Sequence, residues 1–350
     1  MKRIQRLFIL AILTLVLSYN PANAGNEDRV GEAGGTQLLI NPWARSSGWG
    51  NAANATVRGL ESMYLNVAGA AFTKQTELLF THTTYLKGTG ININAFGITQ
   101  KVGETGVLGI AVMTMGFGDI MITTCDLPEG GIGTFSPSYM NFNISYSKAF
   151  SASIYGGLNL KILNEAIADI RGGGIALDAG IQYVTGELEN IKFGISLKNV
   201  GPKMVYRGDG LSFRGTVPGA PNAMTVSHRS AEFELPSLLN IGAAYDFLLS
   251  DKHRVTPAFN FTSNTFTKDQ YSLGVEYAFS DYFMFRCAYT YEKDVNDAEL
   301  RTSLFTGPSA GFTLRVPFNK EKGSSFELDY SFRSTNPFDN THSIGARINL

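Results

Sequence analysis

Few side chains in this chain of 350 residues could carry chemistry. His82, His228, His253 and His342 stand far apart and lack the close spacing of metal ligands. No Gly-x-Ser-x-Gly elbow accompanies the many serines. A hydrolase would need a Ser/His/acid set or an equivalent, and no such set stands out. The histidines therefore read as rim or lumen residues, and the chain reads as a non-enzyme without metal or cofactor. Cys125 and Cys287 are the only cysteines. Two cysteines do not make a disulfide framework. Cys287 falls among apolar neighbours, where it reads as a small buried hydrophobe, and no disulfide is expected.

Charged residues are more informative. Asp178, Lys192, Lys198, Asp246, Glu276, Arg286, Glu292, Arg315, Glu327, Asp329, Arg333 and Arg347 sit in segments of strictly alternating hydrophobicity. Each falls on the polar side of the alternation. Such a set can neutralise itself across an enclosed wet space. The alternative is a polar track for a solute.

The elements that would position these charges are β-strands. Gly174 to Val200 shows the pattern best. Ile175, Leu177, Ala179, Ile181 and Tyr183 alternate with small or polar residues. A turn at Gly186 to Asn190 follows, and then Ile191, Phe193, Ile195 and Leu197 alternate with Lys192, Gly194, Ser196 and Lys198. Successive strand side chains point to opposite faces, so this is a hairpin with one apolar and one wet face.

The alternation predicts fourteen strands, at about 75–86, 90–101, 106–118, 139–149, 153–163, 173–185, 190–200, 238–248, 253–263, 270–280, 282–292, 308–318, 324–333 and 341–350. They are about ten residues or longer. Strands of soluble proteins run to about five or six residues, whereas a tilted transmembrane strand needs about nine to eleven. The apolar face carries Tyr and Phe near strand ends, as a girdle would require. Only closure into a barrel pairs every backbone group in lipid. The expected fold class is all-β, a transmembrane antiparallel barrel of about fourteen strands in outer-membrane lipid.

The connections agree. One set is short, near 102–105, 150–152, 186–189, 249–252, 281 and 319–323. The other is often long, near 87–89, 119–138, 164–172, 201–237, 264–269, 293–307 and 334–340. Outer-membrane barrels have short periplasmic turns and longer outside loops. A further strand-like piece at 229–236 would break this parity and is placed inside the longest loop.

Bulk composition fits. Charged residues make up 17% of the chain, the net charge is −1 and the mean hydropathy is −0.02. The charged fraction is below the roughly 25% of soluble domains. Near-neutrality argues against a nucleic-acid partner. Lys2, Arg3 and Arg6, the apolar Leu7 to Leu17 and Ala22-Asn23-Ala24 predict a Sec-type signal peptide over 1–24.

Residues 25–72 do not alternate. They are rich in small residues, include Trp43, Arg45, Trp49, Glu61 and Asn66, and have room for short helices such as Val57 to Tyr64. A fourteen-stranded barrel is wide enough to hold solvent unless something fills it. The expectation is an N-terminal plug over 25–72, within a barrel spanning 73–350.

Within this segment, ATVRGLESMYLNVAGAAF (55–72) resembles the stretch before the first strand of FadL-type barrels. Asn66-Val67-Ala68-Gly69-Ala70-Ala71 stands for the N-P-A-G-L-A-like motif, with Val67 in the proline position. LLINPWARSSGWGNA (38–52) is similar to the A-R-x-x-G-x-G-x-A stretch of the PorV/PorQ family. PEGGIGTFSP (128–137), LDAGIQYVTG (177–186) and FGISLKNVG (193–201) resemble it too. The resemblance implies a FadL-like barrel of the type IX secretion system. Its implied partners are a secretion translocon or surface-attachment proteins and exported cargo. The alternative is a FadL-like channel for hydrophobic or small solutes, gated by the N-terminal segment.

Outside loops with exposed aromatics and mixed charge suit a protein partner. The candidate contact residues are Asp126, Pro128, Glu129 and Phe135 in one loop. Tyr206, Arg207, Asp209, Phe213 and Arg214 are the candidates in the longest.

Overall fold

The computed structural model describes residues 25–216, 218–219, 222–319 and 323–350. The signal peptide expected over 1–24 lies outside the described residues. Fourteen strands form the wall: β1 (Thr76–Thr84), β2 (Asn92–Val102), β3 (Gly106–Gly116), β4 (Ser138–Ala149), β5 (Ile154–Ile167), β6 (Ile170–Thr185) and β7 (Ile191–Val200). They continue with β8 (Leu238–Tyr245, prolonged by Phe247–Ser250), β9 (His253–Asn264), β10 (Gln270–Phe279), β11 (Phe283–Glu292), β12 (Phe305–Asn319), β13 (Ser324–Thr335) and β14 (Thr341–Asn349). Each pairs antiparallel with its neighbours in sequence, as in Phe80↔Phe96, Ile162↔Ile175 and Ile195↔Ile241. β1 also pairs with β14, from Glu77↔Asn349 to Thr84↔His342. The barrel is closed, so no row of wall N–H and C=O groups faces lipid unpaired.

Period two sets the two faces. Phe80, Phe96, Ile110, Ile144, Ile181, Phe193, Ile195, Leu273, Phe285 and Ile344 point outward and are exposed. Their neighbours Thr81, Ser145, Gln182, Lys192, Ser272, Arg286 and Ser343 are buried inside. This inverts a soluble fold, and a lipid tail is the solvent that makes it favourable. Among the described residues no helix is long and apolar enough to cross a membrane.

Connections at one end are short turns. At the other end they include 117–137, 201–237 and 293–304. The loop expected at 164–172 is different. β5 and β6 run on to Ile167 and Ile170, joined at Ala168 and Asp169, with Ala168 at φ 47°. This hairpin tip extends the wall at the loop end. Gly172, Gly173 and Gly174 replaced the alternation there, which hid the strand. The longest loop builds its own pieces. Met204–Arg207 pairs with β6, Glu232–Phe233 pairs with Met204 and Val205, and Ser212–Gly215 pairs with Met224–Ser227.

Residues 25–72 fill the lumen with short helical turns. They start at the loop end, where Glu27 meets Lys293 at 3.3 Å, and reach the turn end at Phe72. The helix expected over Val57 to Tyr64 is only Ser62–Leu65. Gly59 interrupts it, at φ 72° with its N–H donating to the Gly69 carbonyl at 2.9 Å.

Candidate functional site

The lumen surrounds the N-terminal segment with two kinds of contact. On one side, formed by β10 to β14 and β1, the contacts are ionic. Arg45 donates to Asp329 at 3.1 Å and to Glu327. Arg347 pairs with Glu61 and, at 3.1 Å, with Glu77. Glu61 also accepts from the Ser46 N–H at 2.8 Å, and Glu77 from the Leu60 N–H at 3.2 Å. The carboxylates around Arg45 hold its guanidinium well above its ordinary pKa, against the opposing effect of burial. Arg45 and Glu61, two charged residues of the N-terminal segment, thus complete a buried charge network whose other charged members are wall residues.

On the other side, β4 to β8, the hydrogen bonds to the segment are neutral. Ser147 Oγ donates to the Val67 carbonyl at 2.7 Å, Asn159 to Met63 at 3.1 Å and Ser196 Oγ to Leu65 at 2.9 Å. Gln182 donates to the Asn54 and Val57 carbonyls. Asn54 and Asn66 reciprocate, donating to the wall carbonyls of Gly194 at 2.9 Å and Ile181 at 3.1 Å. The backbones approach so closely that a Cβ on Gly194 would lie 2.6 Å from the Asn54 carbonyl oxygen. The small-residue wet face therefore has a purpose: a buried turn segment needs hydrogen-bond partners, and a small wall residue lets its backbone reach them.

The other predicted lumen charges are also matched. Lys192 pairs with Asp246 at 2.5 Å and Arg286 with Glu276 at 3.1 Å. Asp178 pairs with Lys161 at 2.6 Å. Arg315 pairs with Glu327 at 2.6 Å, and Glu292 accepts from Gln270 at 3.0 Å. Lys198 and Arg333 lie over the rings of Tyr64 and Phe305. Trp43 is buried in an apolar cluster with Leu38, Leu60 and Leu79, and Trp49 packs with Ala52 and Ala53. Glu61 and Asn66 are buried too.

The histidines sit elsewhere than in the lumen. His82, His253 and His342 lie on the outer face and contact Asn94, Tyr277 and Tyr330 at 2.7–2.9 Å. His228 stacks on Phe213 in the longest loop, 4.8 Å between ring centres. No metal-ligand cluster occurs among the described residues. Cys125 and Cys287 are free and exposed. Cys287 keeps its place on the apolar face, but that face looks out to lipid.

The remaining space is polar. A cavity of about 750 Å³ opens at the turn end beneath the N-terminal segment, lined by Arg45, Arg58, Lys74, Arg254, Glu276 and Arg315 among others. Two smaller pockets have more apolar linings, one of about 20 Å³ beside Trp43 and Met63 and one of about 90 Å³ beside Leu39, Leu238 and Phe266.

The model of the PorP/SprF type IX secretion system membrane proteins matches residues 132–347, more than half of the chain. The chain belongs to the PorP/SprF family. The matched stretch runs from before β4 to the end of β14, over the neutral side of the lumen and most of the ionic side. The resemblance therefore reached the right secretion system, but the family matched is PorP/SprF and not PorV/PorQ. Solved structures share the fold. The toluene transporter TodX of Pseudomonas putida aligns with a TM-score of 0.54 at 12% identity, over 88% of this chain and 97% of its own. The monoaromatic hydrocarbon channel CymD aligns at 0.50 and 13%, over 89% and 97%. A FadL homologue of Pseudomonas aeruginosa aligns at 0.50 and 12%, over 88% and 96%. No curated protein matches at a significant level.

On this PorP/SprF barrel the predicted loop residues divide. Asp126, Pro128 and Glu129 are exposed, whereas Phe135 pairs with Ile120 in a short ladder. Tyr206 is turned to the wall: its hydroxyl donates to Glu165 and its ring meets Phe233 edge-on at 5.7 Å. Arg207, Asp209, Phe213 and Arg214 are exposed. The apolar residues Ile120, Met121, Ile122, Leu127, Ile132 and Met224 are also exposed on these loops. They were legible in part: the run Ile120-Met121-Ile122 ends the alternation of β3.

Proposed function

We propose that this PorP/SprF barrel is a plugged, non-enzymatic docking element of type IX secretion. Its long loops face the cell surface and its short turns face the periplasm. The mature chain reaches the outer membrane by Sec-type export. The observation that carries the reading is the filled lumen. The N-terminal segment is held by buried hydrogen bonds and ion pairs around most of the wall, so cargo does not need to pass through the barrel for it to act. The free apolar and charged groups stand on the loops instead. Asp126, Pro128, Glu129, Arg207, Asp209, Phe213 and Arg214 contact a secretion or surface-attachment partner. Tyr206 and Phe135 hold those loops in shape. The cargo-shuttling role implied by the PorV/PorQ resemblance is a finer version of the same reading.

The rival is a gated channel for hydrophobic solutes. Its support is the shared fold. Ligand pockets run to about 300–1,000 Å³ and are mostly apolar, whereas the two more apolar pockets here measure about 20 and 90 Å³. The experiment is removal of residues 128–135 and 205–215, separately and together, from the full chain in its own cell. Partner recovery and surface display of type IX cargo should fall at least tenfold in the double deletion while the barrel stays heat-modifiable on gels. Unchanged recovery and display would overturn the docking reading.

A further inference from the structure

At the turn end, Phe150, Leu188 and Leu249 are the most exposed large hydrophobic side chains among the described residues, at 68%, 67% and 67%. Phe150 and Leu188 sit in neighbouring turns, and Leu249 sits at the bulged end of the prolongation of β8, beside the next turn. The Val184 N–H donates to the Ser153 carbonyl, which ties the first turn to the end of β6. The Asp246 N–H donates to the Asn190 carbonyl, which ties the second to β8, both at 2.8 Å. None of the three side chains is needed to reverse the chain, since turns are served by small or polar residues.

The patch does not end at the outer face. Along β8 and its prolongation, Tyr245, Phe247 and Leu249 point outward. Leu248 points inward and is itself exposed. It lies directly across from Arg254, and paired residues of an antiparallel ladder share a face. The apolar surface therefore wraps over the rim of the barrel toward Arg254, which lines the charged cavity. A lipid leaflet covers an outer face; it cannot reach around the rim to Leu248.

Just inside, the cavity presents a cation without a counter-ion. Arg58 makes no ion pair among the described residues, and its guanidinium lies over the Phe72 ring, 4.2 Å from the centre. Phe72 in turn stacks on Tyr155, 4.0 Å between ring centres, and Tyr155 is the second residue of β5. The side chain is held open to the cavity on an aromatic support. Its neighbours Lys192 and Arg254 share Asp246, at 2.5 and 3.7 Å. Asp246 also accepts from Thr256 at 2.7 Å; it acts on Arg58 through its charge but forms no ion pair with it.

We propose that this rim and the Arg58 pocket form one periplasmic docking site for a protein segment that carries apolar side chains beside a carboxylate. The apolar side chains cover Phe150, Leu188, Leu248 and Leu249. The carboxylate enters the mouth and pairs with Arg58, giving the site polarity and register. This site lies at the opposite end of the barrel from the loops assigned above to surface partners. It stands whether or not those loops dock anything, although it uses the same orientation.

The test uses the full chain in nanodiscs and a fluorescent twelve-residue peptide of alternating Glu and Leu, with a Lys/Leu peptide of equal length as control. The acidic peptide should bind at least tenfold more tightly than the basic one. Arg58→Glu should abolish that preference. Leu188→Ser with Leu249→Ser, both at the exposed rim, should weaken the acidic peptide about tenfold. Equal binding of the two peptides, or indifference to either substitution in a heat-modifiable barrel, would overturn the proposal. In cells, a photoreactive residue at Leu188 or Leu248 should crosslink to one protein of fixed mass, and Arg58→Glu should remove that product. Crosslinks to lipid alone at Leu248 would show the patch to be a membrane contact and would equally overturn it.

Discussion

The two sides of the lumen hold the same N-terminal segment by different means. On the side of β10 to β14 and β1, Arg45 and Glu61 insert full charges among Glu77, Glu327, Asp329 and Arg347. On the side of β4 to β8, amides and hydroxyls bind backbone carbonyls, and the one full charge against the segment is Lys198 over the Tyr64 ring. The difference is one of failure rather than of strength. A neutral hydrogen bond contributes roughly 0.5–1.5 kcal/mol net. A buried ion pair can add little, because desolvation offsets the attraction, but removing one partner strands the other and costs about 3–5 kcal/mol. The neutral side should therefore weaken gradually, and the ionic side abruptly.

The largest expected effect is on the ionic side. Glu61→Ala removes the carboxylate that bridges Arg347 and the Ser46 N–H and stands 3.9 Å from Arg45. Arg45 and Arg347 then share Glu77, Glu327 and Asp329, with Arg315 also on Glu327. The expected loss is about 3 kcal/mol, at the low end of the range for a broken buried pair because those carboxylates remain. It should appear in urea unfolding in lipid vesicles. Single-barrel conductance should rise as the segment loosens. Glu61→Gln keeps an acceptor for Ser46 and should lose less. A loss for Glu61→Ala no greater than that of a neutral-side substitution would erase the contrast.

That substitution is Asn66→Ala. Asn66 donates to the Ile181 carbonyl at 3.1 Å and the Asn54 carbonyl at 3.2 Å, and accepts from the Ala68 N–H at 3.2 Å. Its loss should cost about 1–3 kcal/mol, the range for buried polar groups left without a partner. The other neutral contacts survive, so conductance should stay near that of the intact barrel. A conductance rise matching that of Glu61→Ala would mean that the neutral side, too, fails as a unit.

The two sides were unequally legible. Strand alternation exposed the wall, its fourteen members and its inward charges, because lipid on one face and water or protein on the other enforce period two. Arg45 and Glu61 stood out as charges in a small-residue segment, yet their partners are about 280 residues away in sequence for Arg45 and Glu327. Nothing local encodes such a pairing. The neutral side was harder still. Asn54, Gln182 and Ser196 look like ordinary wet-face residues, and Gly194 gives no sign that a carbonyl rests against it. The exposed rim at Phe150, Leu188 and Leu249 could have been noticed as apolar residues in turns. The strand extension to Ile167 and Ile170 could not, because glycines replace the alternation there.

The smallest effect concerns the loop end, where the segment is held from outside the lumen. Arg29 contacts Glu234 at 2.9 Å and Glu32 at 2.9 Å, and the Gly34 N–H donates to the Glu234 carbonyl at 2.9 Å. The hydrogen bond and charge of Arg29 lower the Glu234 pKa below its ordinary value of 4.5. A carboxylate with a depressed pKa contributes its full share above the unfolded-state value and loses it as pH falls through the folded-state value. The contact should therefore be intact at neutral pH and fade below pH 4.5. Both groups are partly exposed, so the change should be local and screened by salt. Hydrogen exchange over residues 25–35, corrected for intrinsic rate, should quicken slightly at low pH. Glu234→Gln should give the same quickening at pH 7, with residues 44–66 unaffected. If protection spread its loss to residues 44–66, the ionic and neutral sides would depend on this outer contact, and the lumen could no longer be described as two independent grips.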